Sequence, residues 1–298
     1  MTAAVTTVVS GQHFLEAPRW RDGRIWFSDF YGHQVQSARE DGSDLRTEAT
    51  VTGQPAGLGW LPDGRLLVVS MRDRKLLRRE ADGTLVTQGD LSSAATGHAN
   101  DMAVDAAGRA YVGNFGFDLM SGSPLATASL HRVDPDGTVT EVATDLWFPN
   151  GTVITPANVL IVNETFGNRC TAFDLTDDGQ LINRRVWAEF APLPTDRAMD
   201  KLFPQLKVAP DGCCLDSEGA LWIADADNAR LLRVTEGGQD HRPDRARLTR
   251  LRLRPGRRRR PHPVRLRRAG LLRGAPQGRP RSIPPSHPSH RPGLTPPA

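Results

Sequence analysis

Long apolar runs are missing from this sequence. Nothing in its 298 residues approaches an 18-residue apolar span, so no transmembrane helix and no membrane partner are expected. Residues 1–10 carry neither the basic start nor the apolar stretch of a secretory signal, and a cytoplasmic location is the expectation. Cysteine is scarce as well. Cys170, Cys213 and Cys214 are too few and too oddly spaced for a disulfide framework, and they read as reduced, small hydrophobes. As neighbours on a strand, Cys213 and Cys214 should face opposite sides.

The last fifth of the chain lacks more. After His241 there is no Lys, Asn, Glu, Phe, Tyr or Trp, and Arg and Pro dominate. Residues 241–298 hold 17 Arg and one Asp, or +16, so the formal +4 of the whole chain leaves −12 for residues 1–240. The acidic bulk and the basic end therefore need separate explanations. One reading of the end is an arginine-rich arm for nucleic acid. The other is a shifted reading frame, because Arg, Pro, Gly and Ala are the residues that misframed GC-rich DNA yields. Read in another frame, Arg257 to Arg260 can encode a run of Gly or Asp, and His262 to Ala275 an apolar strand after that polar turn. We expect the frameshift, and with it no nucleic-acid partner.

What is present before residue 240 is a repeat. Trp20-Arg-Asp-Gly-Arg-Ile-Trp-Phe-Ser-Asp29 aligns with segments beginning at Trp60, Val104 and Val153, and with Leu215 to Asp225. Each reads strand, polar turn, strand, with Gly23, Gly64, Gly108, Asn158 and Gly219 at the turn. A second hairpin follows each copy, turning at an Asp-Gly or Glu-Gly pair such as Asp41-Gly42 and Asp82-Gly83. Two hairpins per repeat of roughly 40–60 residues make a four-stranded propeller blade. The expected fold is thus all-β, a six-bladed β-propeller with five blades readable in residues 1–240. The sixth is lost to the C-terminal frameshift, and residues 241–298 form an aberrant, disordered tail. The stretches Phe115 to Thr127 and Trp187 to Val208 should be loops over one end, with Asp196 to Phe203 forming a short helix there.

Three segments entering a repeat carry oxygen ligands in similar settings: Glu16 before Pro18, Asn150 after Pro149, and Asp211 between Pro210 and Gly212. In phase with the repeat, they can converge on the propeller axis. Two carboxylates and an amide oxygen suit a hard divalent cation such as Ca²⁺ or Mg²⁺, and the lack of a histidine or thiol argues against a dedicated zinc site. Asn100 occupies the same phase in the third copy, as a further axial polar group. His98 fits either a channel-facing substrate contact or a plain loop histidine.

Glu16-Ala-Pro-Arg-Trp20, His98-Ala-Asn-Asp101, Phe148-Pro-Asn-Gly151 and Pro210-Asp-Gly212 with Leu221-Trp222 resemble the regucalcin/gluconolactonase/luciferin-regenerating family over about residues 10–238. The resemblance implies a six-bladed propeller with one divalent metal on its axis, Ca²⁺ foremost and Zn²⁺, Mg²⁺ or Mn²⁺ as alternatives. It implies Glu16, Asn150 and Asp211 as metal ligands and Asp211 as general base. Asn100, His98 and Asp118 fall where the family contacts substrate. His98 stands where some lactonases of the family carry a substrate-binding arginine, and Ala17 where many relatives carry glycine. The implied activity is metal-assisted hydrolysis of a small-molecule lactone. A non-catalytic Ca²⁺- or ligand-binding propeller, or a chain inactivated by loss of its sixth blade, are the alternatives.

Overall fold

The computed structural model describes residues 7–238, and these build five antiparallel sheets from consecutive stretches of chain. Blade 1 comprises β1 (Leu15–Arg21), β2 (Arg24–Asp29), β3 (Gln34–Arg39) and β4 (Arg46–Thr50), and blade 2 comprises β5 (Pro55–Trp60), β6 (Leu66–Ser70), β7 (Lys75–Arg79) and β8 (Leu85–Asp90). Blade 3 holds β9 (Ala99–Val104), β10 (Ala110–Asn114), β11 (Ala128–Val133) and β12 (Val139–Leu146). Blade 4 holds β13 (Pro149–Ile154), β14 (Val159–Glu164), β15 (Arg169–Leu175) and β16 (Leu181–Glu189). In blade 5 three strands are described: β17 (Pro210–Leu215), β18 (Leu221–Asp225) and β19 (Arg230–Val234). The architecture is all-β and propeller-like, as expected. The expected sixth blade and the expected frameshifted tail lie outside the described residues.

Turn chemistry sets the repeat. The five turn residues Gly23, Gly64, Gly108, Asn158 and Gly219 all have positive φ, between +56° and +88°, the region that glycine and asparagine enter at least cost. Between the turns, alternating apolar side chains fill the space between sheets, for example Leu58, Leu66 and Val68 with Val35 of the preceding blade.

The innermost strands lie side by side in chain order, β1 with β5, β5 with β9, β9 with β13 and β13 with β17. Each of them breaks register near its start: after Glu16, and between Pro55 and Leu58, Ala99 and Met102, Pro149 and Thr152, and Pro210 and Cys213. A β-bulge re-aims side chains without ending the strand. Counting from the first paired residue makes Glu16, Ala56, Asn100, Asn150 and Asp211 equivalent. The next position is Ala17, Gly57, Asp101, Gly151 and Gly212. At Gly57 a Cβ would come within 2.8 Å of the Met102 nitrogen of the next blade, and at Gly151 one would overlap the Asp211 carbonyl. Gly212 has nothing within 4 Å of that position, so among the described residues the flank of β17 is uncovered there.

Ala17 takes a left-handed conformation, φ +47°, at this tight position. Replacing it with glycine relieves the strain and gives up only part of a methyl contact. Ala17→Gly should therefore stabilise the protein by about 0.5–1 kcal/mol, a rise of about 1–3 °C in Tm by calorimetry.

Buried polar groups pin the bulges. Asp29, Glu164 and Asp225 end the second strands of their blades, and each accepts the backbone N–H that leads into the inner strand, from Phe14 (3.0 Å), Trp147 (2.7 Å) and Ala209 (3.1 Å). Between blades, Ser28 donates to the Ala56 carbonyl at 2.7 Å, and Asn163 donates to the Asp211 carbonyl at 2.6 Å. Satisfied in this way, buried polar groups fix geometry rather than weaken the core.

Two loop boundaries differ from expectation. The helix spans only α1 (Met199–Leu202), followed by a 3₁₀ turn at Phe203–Gln205. Arg197 is drawn out of it, accepting from the Leu125 N–H at 2.8 Å and lying 5.0 Å over the Trp147 ring. Likewise β16 continues through Trp187 and Ala188, which pack in the core under blade 5. Cys213 is half-buried and Cys214 exposed, on opposite sides of β17 as expected.

Candidate active site

The bulges bring Glu16, Asn150 and Asp211 to one place near the axis. Burial, then the charges of Asp211 and Asp101, push the Glu16 carboxyl up to about 8. Burial, then Asp101, push Asp211 up to about 7, against hydrogen bonds from Asn150 and the Gly212 backbone that favour its charged form. Asp101 is also raised by burial, with Arg19 opposing. Three acids thus share a desolvated space in which each disfavours the ionisation of its neighbours.

The support behind them comes mostly from blade 4. Thr165 donates to the Pro210 carbonyl at 2.8 Å and accepts from Asn150 Nδ2 at 3.2 Å. With Asn163 on the Asp211 carbonyl, this fixes the backbone on both sides of the Asp211 Cα. The amide of Asn150 is oriented by the same bond, which leaves Oδ1 as its acceptor. Asn100 donates from Nδ2 to the Pro149 carbonyl at 3.3 Å, so it too borders blade 4 beside Asn150.

Arg19 brings positive charge to Asp101. Its Nη2 lies 2.7 Å from Asp101 Oδ1 and donates to the Met102 carbonyl at 3.2 Å. Arg19 belongs to blade 1 and Asp101 to blade 3, so this pair bypasses blade 2. Both residues stand inside the motifs that carry the ligands, yet sequence reasoning assigned them no role. The signal for Asp101 is its position, an acid where the other copies have Ala or Gly.

Over the strand starts lies a rim built from the connecting loops. His98 and Asp118 come within electrostatic reach of one another there: the Asp118 carboxylate holds the imidazole up, while burial, the larger effect, pushes it down. The His98 ring lies 5.7 Å from that of Phe115, which stacks on Phe148 at 4.5 Å. Phe166 and Phe203 continue this wall toward α1. Tyr31, on the opposite loop, is raised by burial and by Glu16. Asn100 therefore groups with the axial set, while His98 and Asp118 sit together in the rim. Among the described residues no three His, Cys, Asp or Glu side chains gather in metal-binding geometry; the set at the axis is two carboxylates and an amide oxygen.

Residues 14–245 match the family described as SMP-30/Gluconolactonase/LRE-like region. The chain belongs to that family. Among curated members it is similar to the pentonolactonase XacC of Haloferax volcanii, 28% identical over 213 residues, which cover 69% of this chain and 66% of the relative. It is also similar to the lactonase drp35 of Staphylococcus aureus, 27% identical over 228 residues, 73% of this chain and 65% of the relative. The chain thus spans about two thirds of the length of the curated relatives it matches. Among solved structures it superposes on a gluconolactonase of Xanthomonas campestris with a TM-score of 0.60 at 25% identity, covering 78% of this chain and 76% of that one. The calcium-binding regucalcin of Agrobacterium tumefaciens shares the fold, with a TM-score of 0.61 at 20% identity over 77% of this chain and 73% of that one. Among the described residues no helix is long and apolar enough to cross a membrane.

Proposed function

We propose that the chain is a metal-dependent lactone hydrolase whose cation is held by Glu16, Asn150 and Asp211. The observation that carries this reading is the convergence of two partly buried carboxylates, each raised far above its ordinary range, beside an amide oxygen. Such a set is short of positive charge, and its all-oxygen chemistry fits a hard divalent ion, Ca²⁺ foremost. A bound divalent cation supplies Lewis-acid polarisation of a substrate carbonyl.

The chain's own residues supply the rest. Asp211 takes a proton from water, the water oxygen bonds to the lactone carbonyl carbon, and the ring C–O bond breaks. The freed ring oxygen takes that proton back from Asp211, and the product is a hydroxy acid. The Asn163 and Thr165 hydrogen bonds hold the Asp211 backbone, so the base meets the substrate at little reorganisation cost. Asn100 borders the site as a substrate contact. His98 and Asp118 line the entrance and orient the ring, with His98 backed by the buried Phe115–Phe148 stack. Burial holds His98 toward its uncharged form, which suits it to hydrogen-bond a neutral hydroxyl better than to pair with a carboxylate.

The test is turnover of a panel of five- and six-membered lactones by purified full chain in Ca²⁺, Mg²⁺, Mn²⁺ or Zn²⁺, read by acid release. Opening of at least one lactone, abolished by chelator and restored by cation, is the expected result. Cation binding with no turnover would replace this reading by a binding propeller, and no cation binding would remove it altogether.

A further inference from the structure

Of the three acids at the axis, Asp101 is set apart by its partner. Glu16 and Asp211 face the axis from equivalent bulge positions, whereas Asp101 is the next residue, where the other blades have Ala17, Gly57, Gly151 and Gly212. Its carboxylate takes two hydrogen bonds, both on Oδ1: one from Arg19 Nη2 at 2.7 Å, the other from the Met102 N–H at 2.9 Å. Arg19 is fixed in turn. It donates from Nη1 to the Pro18 carbonyl at 3.1 Å and from Nη2 to the Met102 carbonyl at 3.2 Å. The Arg19 side chain is 22% exposed and that of Asp101 9%, so the pair is poorly screened by water. The charge of Asp101 is nevertheless felt by both Glu16 and Asp211.

We propose that Arg19 is a positioning residue that sets the charge of the cation site, pairing with Asp101 so that the third carboxylate neither binds the cation nor adds its full charge to the site. Glu16 and Asp211 then present two negative charges, matched to a divalent ion, while Arg19 offsets part of the charge that Asp101 would otherwise add. This rests on the cation site proposed above. A bracing role alone, in which Arg19 merely ties blade 1 to blade 3, makes the opposite prediction. Removing a brace loosens the site and weakens cation binding, whereas removing a charge strengthens it.

The experiment is calorimetric titration of the chelator-treated full chain with Ca²⁺, in parallel with Tb³⁺ luminescence. Arg19→Met should bind Ca²⁺ at least about tenfold more tightly, and Tb³⁺ more tightly still, because a freed carboxylate favours the higher charge. Asp101→Asn should bind at least about tenfold more weakly, since it leaves Arg19 unpaired beside the ligands. The double variant should return to within about threefold of wild type, and Arg19→Lys should stay near it. Unchanged or weaker binding in Arg19→Met, with a cooperative melt, overturns the proposal. Should Arg19→Met fail to melt cooperatively, the Asp101→Asn titration decides, and an unchanged affinity there overturns it equally. A wild type that binds neither ion removes the cation site and this inference together, an outcome distinct from binding that ignores Arg19.

Discussion

Asp211→Asn is expected to lower kcat for lactone opening by about 100- to 10,000-fold, the range that loss of a positioned general base produces. The variant keeps the shape of the side chain and the Asn163 and Thr165 bonds, which go to backbone carbonyls at 210 and 211 rather than to the carboxyl. Loss of activity should therefore come without loss of fold. In the cation-free protein at pH 8 the variant should in fact melt higher than wild type, because one of the mutually repelling acids is gone. Steady-state kinetics with a lactone that the wild type opens, together with melting curves of both proteins, provide the check. Activity within about threefold of wild type would remove Asp211 from the chemistry.

The same carboxyls predict an inverted pH dependence of stability when the cation is removed. Glu16 is raised from 4.5 to about 8 and Asp211 from 3.8 to about 7. Both groups bind protons more tightly folded than unfolded, so between about pH 4 and 8 the native state holds the extra protons. Stability then falls as pH rises through that window. At full effect each shift would cost the charged folded state on the order of 4 kcal/mol. Both side chains keep some exposure to the channel, and water screening brings the sum down to a few kcal/mol. The chelator-treated chain should thus lose at least about 5 °C in Tm between pH 5.5 and 8.5. Saturating Ca²⁺ should reverse the slope, because the ionised carboxylates then have a partner. Calorimetry across this range with and without Ca²⁺ tests it, and a flat cation-free profile would contradict it. Glu16→Gln should flatten the upper part of the curve.

Much of this was legible in the sequence, for a local reason. The turn residues Gly23, Gly64, Gly108, Asn158 and Gly219 need positive φ whatever surrounds them, so their recurrence announced the blades directly. Glu16, Asn150 and Asp211 were readable because they keep phase with those turns. Arg19 and Asp101 were not, since their pairing joins positions 82 apart and depends on how blades 1 and 3 face one another across the axis. Asp29 and Asp225 closed aligned copies of the repeat, and only the register shows that these buried acids, with Glu164, hold the entries to the inner strands. The helix near Met199 was overextended because nothing local reveals that Arg197 leaves it for the Leu125 backbone and the Trp147 face.

The register equivalence of Glu16 and Asp211 has a topological side. Asn150 and Asp211 sit on neighbouring blades already tied together by Asn163 and Thr165, whereas Glu16 comes from the opposite end of the chain. Glu16 and Asp211 are 195 positions apart. An ion gripping both is a cross-link between the first blade and the fifth. Because the two carboxylates meet only in the folded chain, such an ion would stabilise the native state by mass action, to a degree set by its free concentration over its Kd. In the proposed site, the cation would also be the clasp between the first and the fifth blade.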